Sequence, residues 1–222
     1  MKNWLKDNRG FLVFLIGFGF VRLAVADWNP IPSGSMRPSI LEGDVVLVNR
    51  LAYDVKLPLT DTSLMKTGEP QRGDVIVFMS PQDGTRLIKR LVALPGDTVA
   101  LKDDALYVNG ERAVYSEQAI VSEPLDAGLE TPAYRATERI ASHSHSVQLM
   151  PQVRARRDFG PLTVPTDAYF FLGDNRDNSA DSRYFGTVPR ALLVGRAHHL
   201  LASADIKNTW LPRFDRFGQA IR

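Results

Sequence analysis

The 222-residue chain has no cysteine, so disulfides, thiolate metal sites and a cysteine nucleophile are all excluded. Any covalent catalysis must use another residue. It also lacks an excess of one charge: Lys and Arg together number 27 against 25 acids, with no zinc-finger spacing and no glycine-rich phosphate loop. Nucleic acid is therefore not an expected partner. Internal repeats and low-complexity tracts are missing, and so is long helical periodicity beyond residue 45. At 44% hydrophobic and 23% charged residues, the composition is neither that of a disordered chain nor that of a fully membrane-embedded one. The length suits one sizeable domain, or a core with a smaller inserted lobe.

One membrane signal is present. Lys2, Lys6 and Arg9 precede an apolar run over residues 11–21, which continues past Arg22 to Ala26. As a helix, residues 11–26 span about 24 Å at roughly 1.5 Å per residue, short of the ~20 residues that usually cross a bilayer. Trp4, Leu5 and Trp28 extend the stretch with interfacial residues, and Arg22 is placed to snorkel. The basic flank predicts an amino terminus kept in the cytoplasm and a carboxy-terminal body outside. A cleavable signal peptide is the competing reading, because Ala24-Val25-Ala26 is a small-x-small pattern.

From residue 45 onward, short runs of Val, Leu, Ile, Phe and Tyr alternate with Gly-Asp, Pro-Gly-Asp and Asn-Gly breaks, the rhythm of antiparallel strands. Strands are expected over residues 45–48, 75–79, 87–94, 98–102, 105–108 and 169–172. Asn109-Gly110 marks a hairpin turn, since both residue types tolerate positive φ. Residues 51–69 read as an exposed excursion, with Pro58 and Gly68 opposing a helix. Residues 116–165, polar and carrying five prolines from Pro124 to Pro165, read as an inserted, partly irregular lobe.

Three segments carry chemistry. In residues 31–38, Ser33 and Ser35 surround Gly34 between Pro32 and Pro38, a stiffened turn that presents a hydroxyl at a fixed height. In residues 86–97, Lys89 sits inside an apolar strand-like run that stops at Pro95-Gly96-Asp97. Lys89 and Arg90 must point to opposite sides of a strand. If Lys89 points inward, lost hydration disfavours its ammonium form and prepares a neutral amine able to accept a serine proton; if outward, the pair decorates a solvated edge. Residues 173–186, GDNRDNSADSRYFG, gather turn formers, charges and hydroxyls after a strand. They lack the ligand spacing and terminal glutamate of an EF-hand loop, so no metal is expected. Nothing in the spacing of His143, His145, His198 and His199 demands a ligand role.

Taken in order, PSGSM, RGDVIVF (residues 72–78), KRLVALPGD (residues 89–97) and GDNRDNSADSRYFG resemble the boxes of bacterial type I signal peptidases, serine-lysine endopeptidases. The resemblance spans roughly residues 11–197. It implies a mainly β fold: an antiparallel β-sheet catalytic core of the signal peptidase/LexA-like type with an inserted smaller lobe, preceded by one amino-terminal transmembrane helix. The expected division is a cytoplasmic residues 1–10, an anchor over 11–26, core segments 27–115 and 166–204, the lobe 116–165 and a tail 205–222. The resemblance also implies Ser35 as nucleophile, Lys89 as general base, and Ser33 with the Ser35 N–H as oxyanion donors. Ser179 would orient the amine, with Asp181 and Arg183 supporting its loop. Ile31, Pro32, Val77 and Ile88 would form the shallow pockets for small residues at the first and third positions before the cut. Substrates would be secretory preproteins, membrane lipid the other partner, the inner membrane of a bacterium the location, with the catalytic part on its periplasmic face and no cofactor. The chain departs from the family in having one apolar segment where some relatives have two, and Phe185 where many have Trp. These departures leave open a peptidase dedicated to conjugative pilin. Two readings outside protein secretion are a self-cleaving regulator similar to LexA-type repressors and a catalytically silent membrane-tethered β-domain that binds a partner.

Overall fold

The computed structural model describes residues 4, 8–57, 62–124 and 129–221. Lys2, Leu5, Lys6 and Pro58 lie outside them. The apolar run forms helix α1 (Arg9–Ala24), 16 residues long. It is shorter than the expected 11–26 segment at its far end, because the backbone at Ala26 enters a sheet opposite Asn49. No helix among the described residues is long and apolar enough to cross a membrane. Phe11, Val13, Phe14, Leu15 and Phe18 of α1 are exposed, and Phe18 packs against Trp28 at 5.9 Å between ring centroids.

The strands follow in chain order as β1 (Ala26–Pro30), β2 (Asp44–Asn49), β3 (Asp54–Lys56), β4 (Ser63–Lys66), β5 (Val75–Met79), β6 (Arg86–Ala93), β7 (Thr98–Lys102) and β8 (Ala105–Val108). Then come β9 (Glu111–Arg112), β10 (Val114–Pro124), β11 (Glu130–Ile140), β12 (His143–Leu149), β13 (Phe159–Thr163), β14 (Ala168–Leu172), β15 (Val188–Pro189) and β16 (Leu193–Ser203). One short helix, α2 (Ser182–Phe185), lies between β14 and β15. The main sheet has the order β1-β2-β16-β5-β6-β14-β15, and every named pairing within it is antiparallel.

Both faces of this sheet are covered. Val75 and Val77 of β5 join one apolar cluster with Met36, Ile40, Val46 and Val48, while Ile76 and Phe78 join another with Leu91, Tyr169 and Phe171. Strands β5 and β14, covered on both faces, therefore read as unbroken hydrophobic runs, whereas β2 and β16 alternate. The Asn109-Gly110 turn has φ of 54° and 80° and joins β8 to β9. A four-stranded sheet, β13-β7-β8-β9, shares a third apolar cluster with Val92 and Ala93 of β6 and Phe170 of β14.

Residues 116–165 are more regular than their composition suggests. They carry most of a three-stranded antiparallel sheet, β10-β11-β12, with two strands of 11 residues. The strands escape notice because many of their buried side chains are polar: Glu123, Thr131, Glu138, His145 and Gln148 are buried, interspersed with Ala133, Ile140 and Val147. An apolar period of two never develops. Residues 51–69 likewise hold the β3–β4 hairpin. The final segment packs back on the main sheet through bridges between His199 and Ala220 and between Ala204 and Pro212. Arg216 donates to both carboxylate oxygens of the buried Asp44, at 3.1 and 2.6 Å.

Candidate active site

Between β1 and β2 the chain makes a loop closed at its base by hydrogen bonds from Ile31 N to Asp44 O and from Gly43 N to Ile31 O. Met36 and Ile40 are sunk in the apolar cluster below and act as its apolar anchor. The turn is tightened by Arg37 N donating to Gly34 O at 3.1 Å and Ile40 N to Met36 O at 2.9 Å. Ser35 is left partly buried at the top, with Pro32 and Ser33 exposed before it.

Lys89 is brought to this loop by β6. The strand lies between β5 and β14, so Lys89 and Arg90 are both buried, unlike a pair on a solvated edge. They have different partners. Lys89 Nζ is 2.6 Å from Ser35 Oγ and 3.0 Å from Ile88 O. Arg90 donates through Nε and Nη2 to the two carboxylate oxygens of Asp174, at 2.8 and 2.7 Å. With only 3% of Lys89 exposed, burial pulls its amine down to about 8, against the opposing pull of the Asp181 and Asp174 charges. Near neutral pH a useful fraction of this amine is free to accept a proton.

The third wall is the stretch after β14. Asp181 accepts from Gly173 N at 3.0 Å and from Arg183 Nε and Nη2 at 2.8 and 2.9 Å. The pair is fully enclosed and fixes the return of the loop onto the strand it came from. Ser182 Oγ accepts from Phe171 N, tying the start of α2 to β14. Ser179 is buried, and its Oγ has no hydrogen-bond partner among the described residues. The expected contact from Ser179 to the lysine amine is thus not formed; Ser35 Oγ and Ile88 O take the bonds of Lys89 instead. Ser179 nonetheless lies at the site, since a Cβ built on Gly173 would overlap its side chain and stand 2.5 Å from Ser35 O.

Ile31 and Val77 are buried in one cluster, with Ile88 packed against it, directly beneath the Ser35 loop; Pro32 stands at the surface above. Asp174 and Asn175 have no role that the sequence announces, since nothing local distinguishes them within a loop of turn formers. Asn175 N donates to Ser35 O at 3.1 Å, and its Nδ2 to Gly34 O at 3.0 Å. The two carbonyls flanking the Ser35 peptide unit are therefore held by one residue. His145 is buried opposite Glu138, with Nε2 3.4 Å from its carboxylate, and burial lowers the imidazole to about 4. No group of three or more metal-ligating side chains occurs among the described residues.

Among known proteins, the family described as signal peptidase, peptidase S26, matches residues 1–201. The signal peptidase I of Pseudomonas aeruginosa is 42% identical over 202 residues, covering 85% of this chain and 69% of the relative. That of Pseudomonas fluorescens is 40% identical with the same coverage, and that of Rickettsia typhi 33% identical over 93% of this chain and 83% of its own. A crystal structure of a signal peptidase I from Enterococcus faecalis V583 has 35% sequence identity, covers 58% of this chain and 96% of that chain, and superposes with a TM-score of 0.35.

Proposed function

This chain belongs to the signal peptidase family, peptidase S26, and we propose that Ser35 is its nucleophile and Lys89 its general base. It is a serine endopeptidase, and its reaction is removal of signal peptides from secretory preproteins. The observation that carries the assignment of roles is the 2.6 Å contact between the Ser35 hydroxyl and a lysine amine that burial keeps near neutrality.

In the first half-reaction, neutral Lys89 takes the Ser35 proton as Oγ forms a bond to the scissile carbonyl carbon. The oxyanion is received by the Ser35 N–H and the Ser33 hydroxyl, whose exposed place on the loop leaves it free to turn toward a bound substrate. Lys89 then returns its proton to the departing amine as the C–N bond breaks. In the second half, Lys89 deprotonates water, which attacks the ester, and the proton finally returns to Ser35 Oγ. Ser179, Asp181 and Arg183 hold the wall against which the amine rests. Ile31, Pro32, Val77 and Ile88 offer an apolar floor with little depth, which favours small side chains at the first and third positions before the cut.

Residues 27–115 and 166–204 make up the catalytic core in this reading, of the signal peptidase/LexA-like type, and residues 116–165 its inserted lobe. The apolar residues 11–26 with their basic flank serve as the membrane anchor in this reading, α1 alone being shorter than a bilayer span, with the cytoplasm before them and the periplasm after. Retention of the anchor is favoured over cleavage after Ala26, because that bond lies inside β1 and Asp27 is buried with Arg86 Nη1 at 3.0 Å. Lipid contact is supported by Trp210, Leu211, Phe214 and Phe217, exposed on the segment that Arg213 and Arg216 pin to residues 39–44, just after the nucleophile.

The test is cleavage of a model preprotein with an Ala-x-Ala site by full-length protein purified in detergent, with Ser35→Ala alongside. Cutting after the second alanine by the wild type alone supports the assignment. Equal cutting by Ser35→Ala refutes the nucleophile, and absence of cutting by folded wild type refutes a general specificity.

A further inference from the structure

Two residues beyond Ser35, Arg37 turns back under the loop. Its Nε donates to Glu42 Oε2 at 2.7 Å, and the pair presses against Gly34, where an added Cβ would lie 2.9 Å from Glu42 and 3.1 Å from Arg37 Nε. The other side of the guanidinium leaves the core altogether. Arg37 Nη1 bonds Glu123 Oε2, at the end of β10 in the lobe, where Glu123 is only 2% exposed. The second oxygen of Glu123 takes Arg135 of β11. Arg135 Nε in turn donates to Gln148 Oε1 of β12 at 3.0 Å.

Gln148 brings the connection back to the nucleophile. Its backbone N donates to Asp174 O at 2.8 Å, and a parallel bridge pairs it with Asn175, the residue that holds the carbonyls of Gly34 and Ser35. The three strands of the lobe thus grip one loop from two directions: through Glu123 on its outer side and through Gln148 and Asn175 behind. A carboxylate as enclosed as Glu123, with two arginines upon it, is a strong and directional tie. Its removal would leave the Arg37 side chain, among the described residues, with Glu42 as its remaining partner.

We propose that the β10–β12 lobe is a positioning device for the nucleophile loop, and that Glu123 and Arg37 are positioning residues acting on Ser35 through the loop backbone. The inference rests on Ser35 being the nucleophile. It gives the inserted lobe a part in the known reaction without any contact to substrate. Because a misplacement of about 1 Å in a reacting group costs on the order of 100-fold in rate, loosening this tie has a kinetic signature distinct from general destabilisation.

The experiment measures kcat and KM on a preprotein with an Ala-x-Ala site for full-length wild type, Glu123→Gln, Arg37→Gln, the double variant and Glu123→Asp, together with thermal midpoints. The expected result is a loss in kcat of about 10- to 100-fold for Glu123→Gln with KM within about twofold, since the tie acts on the reacting atom and not on substrate binding. The double variant should be no slower than the worse single one, because the two residues act as a unit. Glu123→Asp, which keeps the charge, should recover most of the rate. A Glu123→Gln enzyme within about twofold of wild-type kcat, or single losses that multiply in the double variant, would overturn the proposal. Should Glu123→Gln not fold, Arg37→Gln, which leaves Glu123 on Arg135, carries the same readout. Ser35→Ala, run in parallel, separates the two ideas: activity in that variant removes the nucleophile assignment whatever the Glu123 variants do.

Discussion

Replacing Lys89 by methionine should abolish cleavage and at the same time make the protein more stable. The wild-type fold encloses an amine whose ordinary value of 10.5 is brought down to about 8, chiefly by burial. Between those values the unfolded chain binds a proton that the folded chain does not, so stability rises with pH across that window, and the full penalty is present below about pH 8. At ~1.4 kcal/mol for each factor of ten, the drop amounts to about 3 kcal/mol at pH 7. Methionine fills nearly the same volume without a charge. It forfeits the bonds to Ser35 Oγ and Ile88 O, a net loss of about 1 kcal/mol. The variant should therefore gain about 2 kcal/mol, or roughly 4–8 °C in thermal midpoint for a chain of this size. By pH 10, where the penalty on the wild type has nearly gone, the gain should vanish. Paired denaturation curves at pH 7 and pH 10, with a cleavage assay on the same samples, make the check. A variant less stable than wild type at pH 7, or a gain unchanged between the two pH values, would refute an amine whose charged form is penalised by burial.

Cleavage by the wild type should rise with pH and level off around a midpoint near 8, falling about tenfold for each pH unit below it, as the unprotonated fraction of Lys89 dictates; a rate independent of pH from 6 to 9 would contradict this. Lys89→Arg should be inactive in the same assay, because guanidinium stays protonated at every accessible pH. Gly173→Ala should lower kcat by about 100-fold, since its methyl group must displace Ser179 or the Ser35 backbone, and a steady-state measurement with wild-type KM would locate the damage at the reacting atoms. Arg216→Ala should cost about 2 kcal/mol by removing two charge-assisted hydrogen bonds from the buried Asp44 carboxylate, which keeps Leu41 N and the nearby Arg213, visible as a lower denaturation midpoint.

The chain's local chemistry determined a good deal. Strands β5, β7 and β8 could be bounded from residue types and turn signals alone, because hairpin chemistry such as Asn109-Gly110 acts over a few residues. The candidate residues were legible too, since Ser35, Lys89 and the residue 173–186 loop each sit in a short segment of recognisable type. What no local pattern could decide was which polar side chains would be sealed inside. Lys89 meets Ser35 across 54 positions, Arg37 meets Glu123 across 86, and Arg216 meets Asp44 across 172. The lobe's strands stayed hidden because carboxylates, a histidine and a glutamine occupy many of the buried positions that apolar residues would ordinarily mark. Hydrophobic alternation is written residue by residue, whereas the burial of a charge depends on a partner that only the assembled sheets bring within reach.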